Sequence, residues 1–354
     1  MARPQWACSQ KTYIWIFNTG RGLSICVRLP HNLGVIYDLG TSDDFSPAEF
    51  IEENIAPYLT KYLSKSIAQC FLSHPHQDHI CEMAAIADDS SILSPSLLTC
   101  PNDKAQGEKV DFARIANKKN KEMIDKYRNL YNDRNPPLRT LGKDVSCNVD
   151  VEYGFYYLVP PSVGRIHPSN DHHYGNGLSL VMYLKHGSQS ILIPGDVTPD
   201  VLKCVIDGID GTEKRYTVFN SSFYSNTTWR EKTSNQPTLK QLLQAHGLSV
   251  LVAPHHGLES CYSEKLFETM KDNKPLINVI SEKRHLSDSD GIVDGRYQHE
   301  SGAKGLYVNI EGRNEKRYSV STRNGQHILV VFDGTSDPKI YLRQDPNELL
   351  SVAL

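Results

Sequence analysis

The densest concentration of chemistry in this chain is the run His74-Pro75-His76-Gln77-Asp78-His79, three imidazoles and a carboxylate directly behind the apolar stretch Gln69-Cys70-Phe71-Leu72-Ser73. If Ser73 ends a strand, His74 and His76 project to one side by the two-residue period of extended chain, while Asp78 and His79 turn to a second position as a helix begins. The spacing therefore predicts two metal positions, one on His74 and His76 and the other on Asp78 and His79. Imidazole and carboxylate donors suit Zn²⁺, Mn²⁺ or Fe²⁺ and disfavour Ca²⁺ or Mg²⁺. Two cations sharing a water would bring its pKa towards neutrality and supply a hydroxide aimed at the substrate, with Asp78 orienting it. The competing reading is an exposed polar loop whose histidines do nothing. An apolar strand that aims so many titratable groups at one spot argues against it.

The elements that must hold this cluster can be read around it. Residues 12 to 17 and 23 to 29 are β-rich runs about a turn at Asn18-Thr19-Gly20-Arg21-Gly22, and residues 34 to 40 form a third run, so the chain opens as an antiparallel meander. Ser46-Pro47 starts a helix reaching Tyr62 and divided at Pro57. The strand 69 to 73 delivers the histidines, and residues 80 to 87 form a short helix immediately after them. Residues 101 to 144 differ in texture, rich in Lys, Arg, Asp and Asn, with an amphipathic helix expected from about Glu108 to Tyr131 and closed by Asn135-Pro136-Pro137. This segment is expected to be a helical insertion or cap over the site. Strands then return at 155 to 159, 178 to 184, 190 to 193, 217 to 219, 249 to 252 and 276 to 280, with helices at 198 to 206, 238 to 246 and 263 to 271. Closing strands are expected at 305 to 310, 317 to 322 and 327 to 332, and Ser287-Asp288-Ser289-Asp290 reads as a turn. Such alternation in two halves is expected of an α/β chain folded as an αββα sandwich. One domain spanning 1 to 354, interrupted by the 101 to 144 insertion, is the simplest organisation.

The run HPHQDHI after an apolar strand resembles the HxHxDH motif of the metallo-β-lactamase superfamily, and further pieces follow in the right order. IYDLG at 36 to 40 is similar to the first motif, which implies that Asp38 braces the metal loop as structural support. ILIPGDVT at 191 to 198 resembles the strand ending in a metal-bridging aspartate, here Asp196, although Gly-Asp before Thr198-Pro199 is also a good helix cap. LVAPHHGLES at 251 to 260 resembles the late histidine motif. Gly177-Leu178-Ser179-Leu180-Val181, Gly195-Asp196 and Pro254-His255-His256-Gly257 are most similar to the hydrolase domain of bacterial DNA-uptake channels and its freestanding relatives. The likeness covers about residues 12 to 335 without 101 to 144.

It implies a second metal held by Asp78, His79, Asp196 and His255, with His256 in a supporting or proton-transfer role; the two adjacent histidines could exchange these roles. Most superfamily members carry a histidine just before the strand at 178 to 184, where this chain has His172, His173 and then Asn176-Gly177. Asn176 is nearest that position, and its carbonyl oxygen is a weaker zinc ligand than imidazole, which favours Mn²⁺ at the first site. His172 and His173 either line the pocket or sit on a loop. Gly295-Arg296-Tyr297-Gln298-His299 resembles a late element near the substrate, in which Arg296 would clamp a phosphate and His299 protonate a leaving oxygen, against the alternative of a solvated charged loop.

Composition sets the outer bounds. With 39% hydrophobic and 22% charged residues, the 354-residue chain is ordinary globular material, and a net charge of -3 argues against bulk electrostatic coating of nucleic acid. Eight dispersed cysteines (Cys8, Cys26, Cys70, Cys81, Cys100, Cys147, Cys204, Cys261) form no CxxC pair and read as buried thiols of a reducing compartment. Without an apolar segment after the N-terminal arginine, and with no run near the ~18 residues a bilayer requires, the expectation is a cytoplasmic protein with no membrane partner. The leading expectation for function is a metal-dependent phosphodiesterase or nuclease with two Zn²⁺ or Mn²⁺ ions, acting on nucleic acid or nucleotides. Its support includes Lys118, Lys119, Lys121, Lys126 and Arg128 interleaved with Tyr127 and Tyr131, which read either as a phosphate groove or as a solvated helix face. Hydrolysis of a small ester, lactone or phosphocholine-type diester is the second expectation. A metal-binding regulatory protein with a decayed first site, or a partner in a larger protein system, is the third.

Overall fold

The stretch Thr12–Ile16 shows why this chain builds layers. Ile14 and Ile16 point to one side, Tyr13 and Trp15 to the other, and all four are buried. A strand apolar on both faces needs cover on both faces, and its neighbours repeat the pattern.

The computed structural model describes residues 10–20, 22–101, 110–134, 151–209, 212–219, 237–271, 273–282 and 291–353. The strands are β1 (Thr12–Ile16), β2 (Ser24–Leu29), β3 (Leu33–Leu39), β4 (Ile67–Phe71), β5 (Leu97–Thr99), β6 (Val151–Leu158), β7 (Val181–His186) and β8 (Gln189–Ile193). They continue with β9 (Thr212–Phe219), β10 (Val250–Val252), β11 (Ile277–Ile280), β12 (Leu306–Ile310), β13 (Arg313–Arg317), β14 (Ser319–Ser321), β15 (His327–Phe332) and β16 (Lys339–Arg343). Among the described residues they form a nine-stranded sheet in the order β13-β12-β16-β15-β1-β2-β3-β4-β5 and a seven-stranded sheet in the order β14-β11-β10-β8-β7-β6-β9. The opening meander is antiparallel as expected, and the chain turns parallel at β3, β4 and β5. The two-halves expectation is corrected at the end of the chain: β12, β13, β15 and β16 go back to the first sheet, where β15 pairs with β1.

The helices are α1 (Pro47–Asn54), α2 (Gln77–Ile80), α3 (Ala84–Ala87), α4 (Phe112–Ile115), α5 (Lys121–Arg134), α6 (Pro160–Ile166), α7 (Asp171–Gly177), α8 (Pro199–Asp207), α9 (Leu239–His246), α10 (Glu264–Met270) and α11 (Pro346–Ala353). Local chemistry starts several of them. The Ser46 hydroxyl accepts from the Glu49 amide at 3.1 Å ahead of Pro47, and Thr238 and Gln241 close a reciprocal capping box on α9.

Three apolar clusters make the layering concrete. One lies between the sheets, joining Ile14, Val27, Val35 and Val330 to Phe155, Leu184, Ile191 and Val250. A second covers the outer face of the first sheet with Phe50, Ile51, Tyr127, Leu130 and Leu349 from α1, α5 and α11. The third covers the outer face of the second sheet with Val163, Val201, Leu242 and Leu266 from α6, α8, α9 and α10. The order is helix, sheet, sheet, helix, a mixed α/β arrangement. No described helix is long and apolar enough to cross a membrane.

Two expectations change in detail. The helix after the histidines begins inside the motif, at Gln77, so Asp78 and His79 are helical residues themselves. The 101 to 144 helix is broken into α4 and α5, and α5 is built into both outer clusters through Ile124 and Tyr127. Glu108, the Asn135-Pro136-Pro137 terminator, the Ser287 to Asp290 turn, Cys8 and Cys147 lie outside the described residues.

Candidate metal centre

Asp38, Ser73, Asp196, the His255-His256 pair and Ser281 all lie at the carboxyl ends of β3, β4, β8, β10 and β11, the edge at which open α/β sheets place their ligands. The two sheets are tied there by Tyr37 Oη donating to the Leu180 carbonyl at 2.5 Å and by the Leu180 amide donating to the Ser73 carbonyl at 3.1 Å. The histidine loop packs so tightly on this edge that a Cβ on Gly40 would stand 2.3 Å from the Asp78 carbonyl oxygen. That contact accounts for the glycine of IYDLG.

Asp38 is fully buried and adopts φ 61°, in the left-handed region. Strain of that kind in a non-glycine residue is held in place by its surroundings, and here they are three donors. The Ser73 amide and hydroxyl reach the carboxylate at 2.6 and 2.7 Å, and His79 Nδ1 donates to it at 2.7 Å. Burial raises the Asp38 pKa while His79 and Ser73 oppose that shift. Asp38 thus joins the two ends of the histidine loop, Ser73 and His79.

These bonds fix tautomers. With its hydroxyl proton given to Asp38, Ser73 Oγ accepts from His74 Nδ1 at 3.0 Å, and the Ser281 carbonyl accepts from His256 Nδ1 at 3.1 Å. His74, His79 and His256 thus all carry the proton on Nδ1 and turn an Nε2 lone pair inward. The three inward nitrogens are buried, and none has a hydrogen-bond partner among the described residues. Asp196, 3% exposed, sits in their midst: its carboxylate oxygens lie 3.9 Å from His74 Nε2, 3.2 Å from His79 Nε2, 3.5 Å from His255 Nε2 and 3.6 Å from His256 Nε2. Lone pairs facing lone pairs away from water cost on the order of 1–3 kcal/mol per unsatisfied group, and a cation removes the conflict.

The titration preferences carry the same message. Burial lowers His74 well below its ordinary value and brings His76 and His255 down to about 4, leaving neutral imidazoles. Burial acts to lower His79 as well, but the Asp196 and Asp38 carboxylates outweigh it and hold His79 well above its ordinary value. Burial would raise Asp196, yet His79, His255 and His256 hold it well below the usual carboxylate range. Positive charge is drawn to the space between His79 and Asp196, and a metal cation would occupy the same field.

Two groups of donor atoms are compact enough for a metal ion, His74 with His79 and Asp196, and Asp78 with His79 and His256. His76 belongs to neither group: its ring stands edge-on to that of His74 at 4.7 Å and stacks on His172 at 4.9 Å, beside Gly175, where a Cβ would come within 2.3 Å of His76 Nε2. Of the two adjacent histidines whose roles could exchange, His256 lies in the group with Asp78, and its Nδ1 meets a carbonyl that only accepts. His172, His173 and Asn176 lie on α7. His172 faces the cleft, whereas His173 packs 5.4 Å from the ring of His167, which is bound to Thr198 at 2.8 Å. Asn176 is wholly buried, and neither the oxygen nor the nitrogen of its side-chain amide has a partner among the described residues.

A cleft of about 450 Å³ opens over the cluster. His76, Asp78, His172, Asp196 and His255 line its base, while Arg114, Ile115, Asn117 and Asn120 line the wall built by α4 and the turn after it. Arg114 ties that wall to α7 by donating to Asp171 at 2.7 Å and to the His167 carbonyl at 2.5 Å. The late element is placed elsewhere. Tyr297 is 0% exposed between Tyr262 and Phe267, Arg296 is held by Asp294 at 2.6 Å over the Tyr262 ring, His299 is exposed, and none of the three lines the cleft. Sequence reasoning passed over Ser73, Ser179, Cys261 and Ser281, which hold the histidines from behind. Ser73 and Ser179 stand inside the motifs and were open to notice; Cys261 and Ser281 reach the site only through the fold.

Neither a scan against protein families nor a search of curated proteins finds a match to this chain.

Proposed function

We propose that this chain is a metal-dependent hydrolase of the metallo-β-lactamase fold, holding two divalent cations, Zn²⁺ or Mn²⁺. The observation that carries the reading is the convergence of three buried, unpartnered imidazole nitrogens on the Asp196 carboxylate. An all-nitrogen-and-oxygen donor set with no thiolate fits Zn²⁺ or Mn²⁺. His74, His79 and Asp196 would hold one ion and Asp78, His79 and His256 the other, with Asp196 close enough to serve both. The layered fold and the order of the motifs support the family likeness.

When bound, the cations would lower the pKa of water and draw off negative charge developing on the substrate. The rest belongs to the chain. Asp78, with 36% of its side chain exposed, opens to the cleft beside Asp196 and is placed to orient a nucleophile and accept its proton. Asp38 and Ser73 fix the rings behind it, and α4 narrows access for water and substrate.

The cleft favours a compact substrate. Tyr127 and Tyr131 are 1% and 3% exposed, so they offer no faces for base stacking, and the exposed cations Lys118, Lys119, Lys121, Lys126 and Arg128 do not line the cleft. Lys126 pairs instead with Glu122 at 2.8 Å. A nucleotide-sized phosphodiester or a small ester suits a cavity of this volume better than a duplex.

The test loads the protein with Zn²⁺ or Mn²⁺, measures metal by elemental analysis, and assays bis-p-nitrophenyl phosphate, a lactone, single-stranded DNA and RNA in parallel. Metal-dependent turnover is expected on the small diester, and Asp196→Asn is expected to fold but to lose both metal and turnover. Wild-type metal content in Asp196→Asn, or a fully loaded protein inert on every substrate, would sink the proposal.

A further inference from the structure

His255 and His256 are neighbours with the same left-handed backbone, φ 46° and 58°, and both aim Nε2 at Asp196 Oδ2, at 3.5 and 3.6 Å. They differ at the other nitrogen. His256 Nδ1 meets the Ser281 carbonyl at 3.1 Å, an obligatory acceptor. His255 Nδ1 meets the thiol of Cys261, with Sγ at 2.9 Å. Cys261 is 4% exposed, and besides the His255 ring its thiol meets the Ser260 hydroxyl at 3.7 Å. A thiol in such surroundings keeps its proton, and its sulfur accepts only weakly, so the favoured bond runs from S–H to a ring nitrogen that carries a lone pair.

We propose that Cys261 sets His255 in the tautomer opposite to that of His256, so that His255 presents an Nε2–H donor to the cleft and binds a substrate oxygen instead of a metal. Two further observations fit. His255 lines the cleft, whereas His256 does not, and an Nε2–H facing Asp196 Oδ2 at 3.5 Å is attracted to it without any cation. The tandem pair thus splits its duties, His256 as ligand and His255 as substrate donor, with Cys261 as a positioning residue that touches neither metal nor substrate. This inference rests on the hydrolase reading for the word substrate, but the tautomer does not depend on it.

The decisive measurement is the ¹⁵N spectrum of histidine-labelled, Zn²⁺-loaded protein. His255 is expected to show an unprotonated Nδ1 and a protonated Nε2, and His256 the reverse. Cys261→Ala should move His255 to a mixture of tautomers, and Cys261→Ser, which keeps a donor, should restore the original pattern. Elemental analysis separates the pair: His255→Asn, tolerant of the left-handed backbone, should keep the wild-type metal content, and His256→Asn should lose the metal it shares with Asp78. If turnover is found, His255→Asn should lower kcat/KM about tenfold, the loss of one substrate hydrogen bond. A protonated Nδ1 on His255 in the wild type, or equal metal loss in both asparagine variants, would overturn the proposal. Inertness on all substrates with the expected spectra would leave the tautomer standing and refute the hydrolase reading alone.

Discussion

Replacing Asp38 by Asn would keep the shape of the side chain and reverse half of its hydrogen bonding. Asparagine tolerates φ near 61°, so the backbone stays, but an NH₂ group would then confront the His79 and Ser73 protons now donated to Oδ2. His79 would turn over its tautomer and lose the inward lone pair. Metal affinity should fall about 10- to 100-fold, the usual cost of removing such a partner, as read by chelator competition; unchanged affinity would show that Asp38 does not hold His79. At this scale the sequence is most legible where the residues are close in the chain: His74, Asp78 and His79 stand within six residues, and the structure gathers them with Asp196, which its motif singles out. The choice between His255 and His256 was not legible, because it is made by Ser281 and Cys261 through contacts at their Nδ1 atoms. Arg296, Tyr297 and His299 show the opposite failure: residue types suited to phosphate chemistry, carried by a short turn that packs Tyr297 inward and spends Arg296 on Asp294.

Elements were read best where their period is strict. β1 and β15 alternate between two apolar interiors, and hairpin and capping signals fixed the starts of β2, α1 and α9. α7 escaped because Asp171-His172-His173-Tyr174-Gly175-Asn176-Gly177 has poor helix propensity; it forms because Asn170 caps it, with Oδ1 accepting from the His173 amide at 3.0 Å, and because Tyr174 is buried. The tightest packing between elements is at Gly40, where β3 leaves the sheet under the start of α2. A methyl group there would meet the Asp78 carbonyl oxygen at 2.3 Å and the Leu23 amide and carbonyl at 2.9 Å, all backbone atoms with no rotamer to give way. Gly40→Ala should therefore destabilise the fold by about 1–3 kcal/mol, the range for overpacking, and weaken metal binding in the same variant by moving Asp78. Denaturant unfolding of chelated protein reads the first effect; a variant as stable as wild type would mean that the loop is free to shift.

At the scale of the whole molecule the closing of the first sheet is the feature that local sequence does not show. β15 returns across more than 300 residues to pair Ile328 with Ile16 and Phe332 with Thr12, and pairings of that separation are decided by burial. His327 stands at this seam. It is 4% exposed, packs edge-on against Phe45 at 4.4 Å, and accepts a hydrogen bond at Nδ1 from the Asn18 amide at 3.2 Å. That bond requires a neutral ring, and burial brings its pKa from 6.5 down to about 4. The unfolded chain therefore binds a proton at His327 that the folded chain refuses. Its contribution to stability is complete above about pH 6.5 and is lost as pH falls towards 4, at up to about 1.4 kcal/mol per pH unit. His76 and His255 add loss of the same sign in metal-free protein, so the comparison must isolate His327. His327→Gln supplies an amide oxygen to the Asn18 amide and carries no titration. Between pH 6.5 and 4, chelated His327→Gln should lose stability less steeply than chelated wild type, by up to about 1.4 kcal/mol per pH unit. Parallel slopes would place the acid sensitivity of the fold elsewhere than at the joint between β15 and β1.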